Sequence, residues 1–297
     1  MSTLTFTGVM TAMITPFSEG KFSRDDMAAI TEQQIAGGVS GLAVVGTTGE
    51  ASTLSFEEHI EAVRCVVETA AGRVPVIAGA GSNSTAEALQ LTKLAGDVGV
   101  DGFLHVAPYY NKPTQEGLFR HFSAVADATD KPIVLYSIPS RCGIEIGVET
   151  VVRLRGRYPH VNHIKEAGGS CDRVDALAAA LGDEVTILCG DDSLTLPFMS
   201  LGAQGVISVA SNFEVPGLVA MVNAALRDDY TEARRLHRKY LPLFRDLFIE
   251  SNPVPVKAAM KRAGMIRSEE TRLPLAPLSD ESRARLEATL AALEKEG

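Results

Sequence analysis

Short, β-branched, apolar runs recur along this chain at intervals of roughly 30 residues, the length of one strand-plus-helix unit. They are Val9–Ile14, Gly41–Val45, Pro75–Ala78, Gly102–Val106, Ile133–Tyr136, Val161–Lys165, Val185–Leu188 and Gly205–Val209. Most are continuously apolar rather than alternating, as in parallel strands buried on both faces. Between them lie helical patterns at Arg24–Ala36, Phe56–Ala71, Thr85–Gly96, Gln115–Ala128, Val148–Arg155, Arg173–Leu181 and Leu194–Leu201. Eight units over roughly 210 residues predict an α/β fold, a (β/α)8 TIM barrel, since a doubly wound sheet rarely needs so many. From Val215 onward the pattern is helical only: Leu218–Leu226 closes the barrel, and Tyr230–Ile249, Val254–Arg262 and Asp280–Lys295 follow. Ser279 or Asp280 is the expected cap of the last helix. The expected division is a barrel over residues 1–228 and a small C-terminal helical domain over 229–297.

Composition narrows the partners. The chain has 297 residues, 45% hydrophobic and 22% charged, ample for a large core. A net charge of -9 argues against nucleic acid and anionic membrane surfaces. Cys65, Cys142, Cys171 and Cys189 are scattered without metal-binding spacing and read as reduced thiols. Met1 to Pro16 lacks the basic start of a signal peptide, and no apolar run is long enough to span a bilayer. A soluble, cytoplasmic protein is expected.

In a barrel of this kind, chemistry gathers at the carboxyl ends of the strands. Lys165 ends the sixth run, and a lysine there either reaches out to solvent or is desolvated into a nucleophilic amine that forms a Schiff base. Strand two ends in Gly46-Thr47-Thr48-Gly49-Glu50, either an ordinary capped turn or a carboxylate-binding loop of hydroxyls and backbone N–H groups. Strand four ends with Tyr109 and Tyr110, which point in different directions and so cannot share one role. Strand five ends with Tyr136, a candidate proton shuttle or a rim anchor, and leads to Arg141, whose planar fork suits a carboxylate. Gly190-Asp191-Asp192 could suggest a metal, but only His163 is at hand as a further ligand, and none is expected. By alternation His163 shares a face with Lys165, either filling the barrel layer below it or tuning its amine. Together, lysine, tyrosine, arginine and a hydroxyl-rich loop on one rim suit an imine-forming enzyme acting on a keto acid.

These residues carry a family resemblance over nearly the whole chain, through Gly8–Ala12, Gly46–Glu50, Pro108–Gly117, Tyr136–Gly143, Ile164–Ala167, Gly190–Asp192, Gly205–Val209 and Asn252–Lys257. The chain resembles the pyruvate-dependent Schiff-base aldolases and lyases, and within them the dihydrodipicolinate synthase family. The resemblance implies a lyase condensing pyruvate, as an imine on Lys165, with L-aspartate 4-semialdehyde in the diaminopimelate route to lysine. It implies Tyr136 as proton shuttle, Thr48 relaying to it and Tyr110 entering from a neighbouring subunit of a homotetramer. Thr47 and Thr48 would hold the pyruvate carboxylate, Arg141 that of the semialdehyde, and the carbonyls of Gly190 and Ile207 would face the substrate. No metal or organic cofactor is implied, because the protonated imine is itself the electron sink. A site for the feedback inhibitor L-lysine would comprise Ala51, Ser52, Phe56, His59, Asn83, Glu87 and Tyr109, with Phe56 where sensitive relatives carry histidine or tryptophan. Arg141 and the Thr47-Thr48 pair separate this family from the sialic acid lyases it also resembles. The alternative is an aldolase of the same superfamily cleaving N-acetylneuraminate or a 2-keto-3-deoxy sugar acid. Ser137, Gly168 and Ser211 depart from the family pattern beside the site.

Overall fold

The computed structural model describes residues 4–296, so Met1–Thr3 of the expected barrel segment and Gly297 of the appendage lie outside the described residues. Eight parallel strands close into a barrel: β1 Gly8–Ala12, β2 Gly41–Val44, β3 Val76–Gly79, β4 Gly102–Val106, β5 Ile133–Ser137, β6 Val161–Glu166, β7 Thr186–Cys189 and β8 Gly205–Ser208. β1 closes the ring by pairing with both β8 (Gly8↔Gly205) and β2 (Met10↔Gly41). The TIM barrel expected from the eight repeats is the architecture found. A two-stranded hairpin, Phe17–Ser18 with Lys21–Phe22, sits in the first βα connection.

The continuous apolarity of the strands reflects two buried layers. Met10, Ala43, Ile77, Leu104, Val134, Tyr136, Leu188 and Ile207 fill the barrel interior around Phe6. Residues such as Val44, Val76, Phe103, Leu135 and Ile164 pack outward against the helices. His163 belongs to the inner layer. It is fully buried, its Nε2 accepts from the Phe6 N–H at 2.8 Å, and its ring lies 4.8 Å from that of Phe6. Nδ1 therefore carries the hydrogen, donated to Asn162 Oδ1 at 2.8 Å, and burial pushes the ring's pKa down to about 4. This neutral histidine fills the barrel layer below the lysine and exchanges no hydrogen bond with the amine.

Helix starts follow local chemistry. Ser55 and Glu58 form a reciprocal capping box on the helix Phe56–Ala70, and Ser84, Thr114 and Ser170 each accept a backbone N–H at the start of the helices Thr85–Val98, Gln115–Asp127 and Cys171–Leu181. Each such cap contributes about 1 kcal/mol. The barrel-closing helix runs Val215–Leu226, three residues longer than periodicity implies, because Pro216 is tolerated in a first turn. Ser279, rather than Asp280, caps the last helix, Asp280–Glu296, accepting from the Ser282 N–H at 3.3 Å. The helix Tyr230–Asp246 packs on both the barrel-closing helix and the last helix, so one apolar core continues from barrel into appendage. The four cysteines are free thiols. Among the described residues, no helix is long and apolar enough to cross a membrane, and no cluster of three potential metal ligands forms.

Candidate active site

β5 and β6 run side by side in a register that pairs Tyr136 with Lys165. Both side chains are 5% exposed, and the lysine Nζ lies 4.2 Å from the centroid of the tyrosine ring. Burial lowers the Lys165 pKa to about 8; nearby Asp192 and Cys189 oppose that shift, and Arg141 adds to it. The buried Lys257 differs: Glu50 Oε1 stands 2.5 Å from its amine and the Glu270 carbonyl 2.8 Å away. A strand-end lysine left without such a carboxylate gives up its proton easily and is a competent nucleophile. Burial pushes the Tyr136 phenol up to about 12, against the pull of the Thr47 hydroxyl and the Arg141 charge. It is thus a proton donor across the physiological range.

The hydroxyl on Tyr136 belongs to Thr47. Thr48, expected to relay to the tyrosine, instead accepts a hydrogen bond from Asn252 Nδ2 at 3.0 Å. The threonine bonded to Tyr136 is thus Thr47, where Thr48 was expected, and the loop carrying both is held in an unusual backbone geometry. Val45 and Glu50, which flank the Gly46–Gly49 turn, both adopt left-handed conformations, φ 52° and 53°. Each costs on the order of 1–3 kcal/mol for a non-glycine residue and needs support from outside the loop. A Cβ on Gly49 would stand 2.8 Å from Val45 Cα, so glycine is required there. The Thr15 hydroxyl donates to the Gly49 carbonyl at 2.7 Å, and Glu50 accepts from both Lys257 Nζ and the Arg272 N–H.

Around the amine, a Cβ on Gly190 would meet Lys165 Cε at 3.0 Å and Ala167 Cβ at 2.7 Å, so glycine lets the lysine pack there. Ile207 is fully buried on the interior wall. Asp192 is not arranged as a metal ligand. Its carboxylate accepts from the Ser208 hydroxyl and from the N–H groups of Val209, at 3.0 Å, and Ala210, at 2.9 Å. Burial pushes its pKa up to about 6. Glu166, facing away from Lys165, accepts from Arg173 Nε at 2.7 Å and the Gly168 N–H at 2.6 Å, pinning the turn after β6. The two serine departures have side-chain hydrogen bonds as well: Ser137 Oγ accepts from the Ile146 N–H, and the Ser211 hydroxyl donates to Thr11 Oγ1. Arg141 sits on a one-turn helix, Pro139–Cys142, that periodicity does not reveal, and its exposed side chain stands at the mouth.

A cleft of about 460 Å³ opens above Tyr136, bounded by Thr47, Leu104, Ile138, Arg141 and, from the C-terminal segment, Asn252, Pro274 and Leu275. Lys165 is not among the lining residues and packs against Tyr136, which is. The same cleft extends past Ala51, Ser52, Phe56, His59, Glu87 and Tyr109. His59 is 5% exposed, donates from Nε2 to the Gly79 carbonyl at 2.8 Å, and is held neutral by burial. Glu87 Oε2 accepts from the Ser82 hydroxyl, and Asn83 lies off the wall, its carbonyl accepting from Asn111 Nδ2. Tyr110 stays outside, 89% exposed with φ 74°.

Residues 5–293 match the model of the dihydrodipicolinate synthetase family. The chain belongs to that family. As a member it is an enzyme, a lyase. It is 45% identical to a 4-hydroxy-tetrahydrodipicolinate synthase of Persephonella marina, over 96% of this chain and 97% of the relative. Two solved structures share the family fold closely. The dihydrodipicolinate synthase of Cyanidioschyzon merolae, with lysine bound, has a TM-score of 0.94 at 39% identity, over 97% of this chain and 98% of that one. The chloride-inhibited synthase of Acinetobacter baumannii, complexed with pyruvate, has a TM-score of 0.95 at 40% identity, over 98% of this chain and 99% of that one. Sequence reasoning overlooked the support for the family's threonine pair. Asn252 and Lys257 stood in a recognised motif, but nothing in their spacing pointed to Thr48 and Glu50.

Proposed function

We propose that this family member condenses pyruvate with L-aspartate 4-semialdehyde to 4-hydroxy-tetrahydrodipicolinate, in lysine and diaminopimelate biosynthesis. The observation that carries the reading is a buried Lys165 amine, pKa about 8, packed against Tyr136. The neutral amine attacks the pyruvate carbonyl, and loss of water leaves a protonated imine. Removal of a methyl proton gives the enamine, whose carbon attacks the semialdehyde's aldehyde while its oxygen takes up a proton. The amine of the semialdehyde then adds to the imine carbon and displaces Lys165, closing the ring. Tyr136 transfers these protons with Thr47 beside it, the backbone N–H groups of Thr47 and Thr48 hold the pyruvate carboxylate, the carbonyls of Gly190 and Ile207 face the substrate, and Arg141 binds the second carboxylate. Borohydride reduction with pyruvate should add one lactyl-type mass to the Lys165 peptide; a label on another lysine refutes the assignment. Turnover with pyruvate and semialdehyde, compared with cleavage of N-acetylneuraminate and 2-keto-3-deoxygluconate, separates this reading from the sister aldolases.

The barrel, residues 1–228, is assigned the chemistry and the appendage, 229–297, support and assembly, in a cytoplasmic homotetramer. An 89%-exposed tyrosine held at φ 74° suits a residue covered by a neighbouring subunit. Tyr110 is therefore assigned to the neighbour's proton relay. Tyr110→Phe should lower kcat by about 10²-fold or more with unchanged Tm, on the scale of a lost proton-transfer group. A fully active monomer in sedimentation at assay concentration contradicts this.

L-lysine is assigned to the outer arm of the cleft, whose lining Glu87 shares with Tyr109, His59 and Phe56. A phenyl at position 56 loses a neutral hydrogen bond, about 0.5–1.5 kcal/mol. Removal of a charged partner costs about 1.5–3 kcal/mol, so Glu87→Ala should weaken inhibition roughly 10- to 100-fold. Asn83 joins this site only through movement of its side chain toward the wall. Initial rates during a lysine titration test it: inhibition of Glu87→Ala equal to that of the unaltered enzyme overturns the assignment.

A further inference from the structure

The Gly46–Glu50 loop is held mainly from outside the barrel. Beyond the local turn, in which the Thr53 hydroxyl and N–H donate to the Glu50 carbonyl, the barrel's own contribution to fastening Thr48, Gly49 and Glu50 is Thr15, at 2.7 Å from the Gly49 carbonyl. The others belong to the segment 252–272: Asn252 donates to Thr48 Oγ1 at 3.0 Å, Lys257 to Glu50 Oε1 at 2.5 Å, and the Arg272 N–H to Glu50 Oε2 at 3.0 Å. Lys257 and Glu50 are both essentially sealed from solvent, with side-chain exposures of 0% and 1%. The Lys257 amine and the Arg272 guanidinium each lie 4.3 Å from the Phe17 ring, which closes the cluster from the hairpin side.

We propose that Lys257 and Asn252 are positioning residues for the Thr47 hydroxyl, so that the C-terminal segment sets the geometry of proton transfer without Lys257 touching substrate. This deepens the reading above that Thr47 serves Tyr136, and rests on it. The physical link is short. Glu50 N–H donates to the Thr47 carbonyl at 3.0 Å, so an ion pair that fixes Glu50 also fixes the peptide carrying Thr47. Glu50 in the left-handed region would relax if released, and Thr47 would turn with it. Asn252 acts on the adjacent residue, holding Thr48 and, through it, Thr47. Its Oδ1 has no partner though the side chain is 5% exposed, so the amide is committed to Thr48 through one edge only.

The test separates positioning from stability. Lys257→Met strands a buried carboxylate and should lower Tm; Glu50→Gln/Lys257→Met removes both charges and should recover most of that loss. Positioning predicts that kcat stays on the order of 10²-fold down in the double variant, as expected for a misplaced catalytic group. The pyruvate KM rises, while borohydride with saturating pyruvate still labels Lys165. Asn252→Ala, which leaves the ion pair intact, should show the same split with unchanged Tm. A double variant that regains kcat with Tm, or an Asn252→Ala enzyme with native kcat and KM, overturns the proposal. Failure of the unaltered enzyme to label at Lys165 overturns the underlying function as well, so the two failures are distinct.

Discussion

Lys165→Ala should lose at least about 10⁴-fold in kcat, since it forfeits a covalent step whose effective molarity is on the order of 10⁵ M or more. The pyruvate adduct disappears from the same peptide. In the unaltered enzyme, kcat/KM for pyruvate should rise with pH up to about 8 and level off, because only the neutral amine attacks. The same depression has a stability consequence of defined sign. The folded pKa, about 8, lies below the ordinary 10.5, so between these values the unfolded chain binds more protons and stability rises with pH. Below pH 8 the full penalty of burying the ammonium is present, about 3 kcal/mol from the size of the shift. Lys165→Met should therefore be inactive and more heat-stable at neutral pH, with the gain vanishing toward pH 10.5. Calorimetry of the two proteins at pH 7 and pH 10 decides it. An equal difference at both would show that the amine is not titrating between them.

Tyr136→Phe keeps the ring that packs on the lysine and removes only the phenolic proton. Loss of a positioned acid–base group typically costs about 10²- to 10⁴-fold. The decrease should fall on kcat and on the rate of imine formation, while the final extent of borohydride labelling is retained. Because burial holds the phenol near a pKa of about 12, it ionises too rarely to act as a base unaided. The Thr47 hydroxyl and the Arg141 charge are the two groups that favour its anion. Thr47→Val should accordingly reproduce much of the Tyr136→Phe defect in kcat, and Thr48→Val, which removes only the acceptor of Asn252, should lose no more than Asn252→Ala. A Thr47→Val enzyme with native kcat would contradict the assignment of the relay to Thr47. Single-turnover measurements with pyruvate alone confine the comparison to imine formation.

The barrel was legible because its signal is periodic. Each strand had to be apolar on both faces, so each appeared as a run, and Gly102–Val106 and the helices Arg24–Ala36 and Val254–Arg262 occupy the spans periodicity predicts. The proximity of Lys165 and Tyr136 was also legible, since successive strands of such a barrel are neighbours and both residues end theirs. Only the tertiary structure decided what the amines and hydroxyls touch. Lys165 and Lys257 are both buried lysines, and no local pattern tells which has a carboxylate beside it. Glu50 reaches Lys257 across 207 positions of sequence, and Asn252 reaches Thr48 across 204. Two adjacent threonines are equivalent in sequence; in a loop with left-handed backbone at Val45 and Glu50, held by contacts from the far end of the chain, one meets Tyr136 and the other Asn252. Periodicity records which face a residue buries, whereas a hydrogen-bond partner brought in from a distant segment leaves no trace in the spacing.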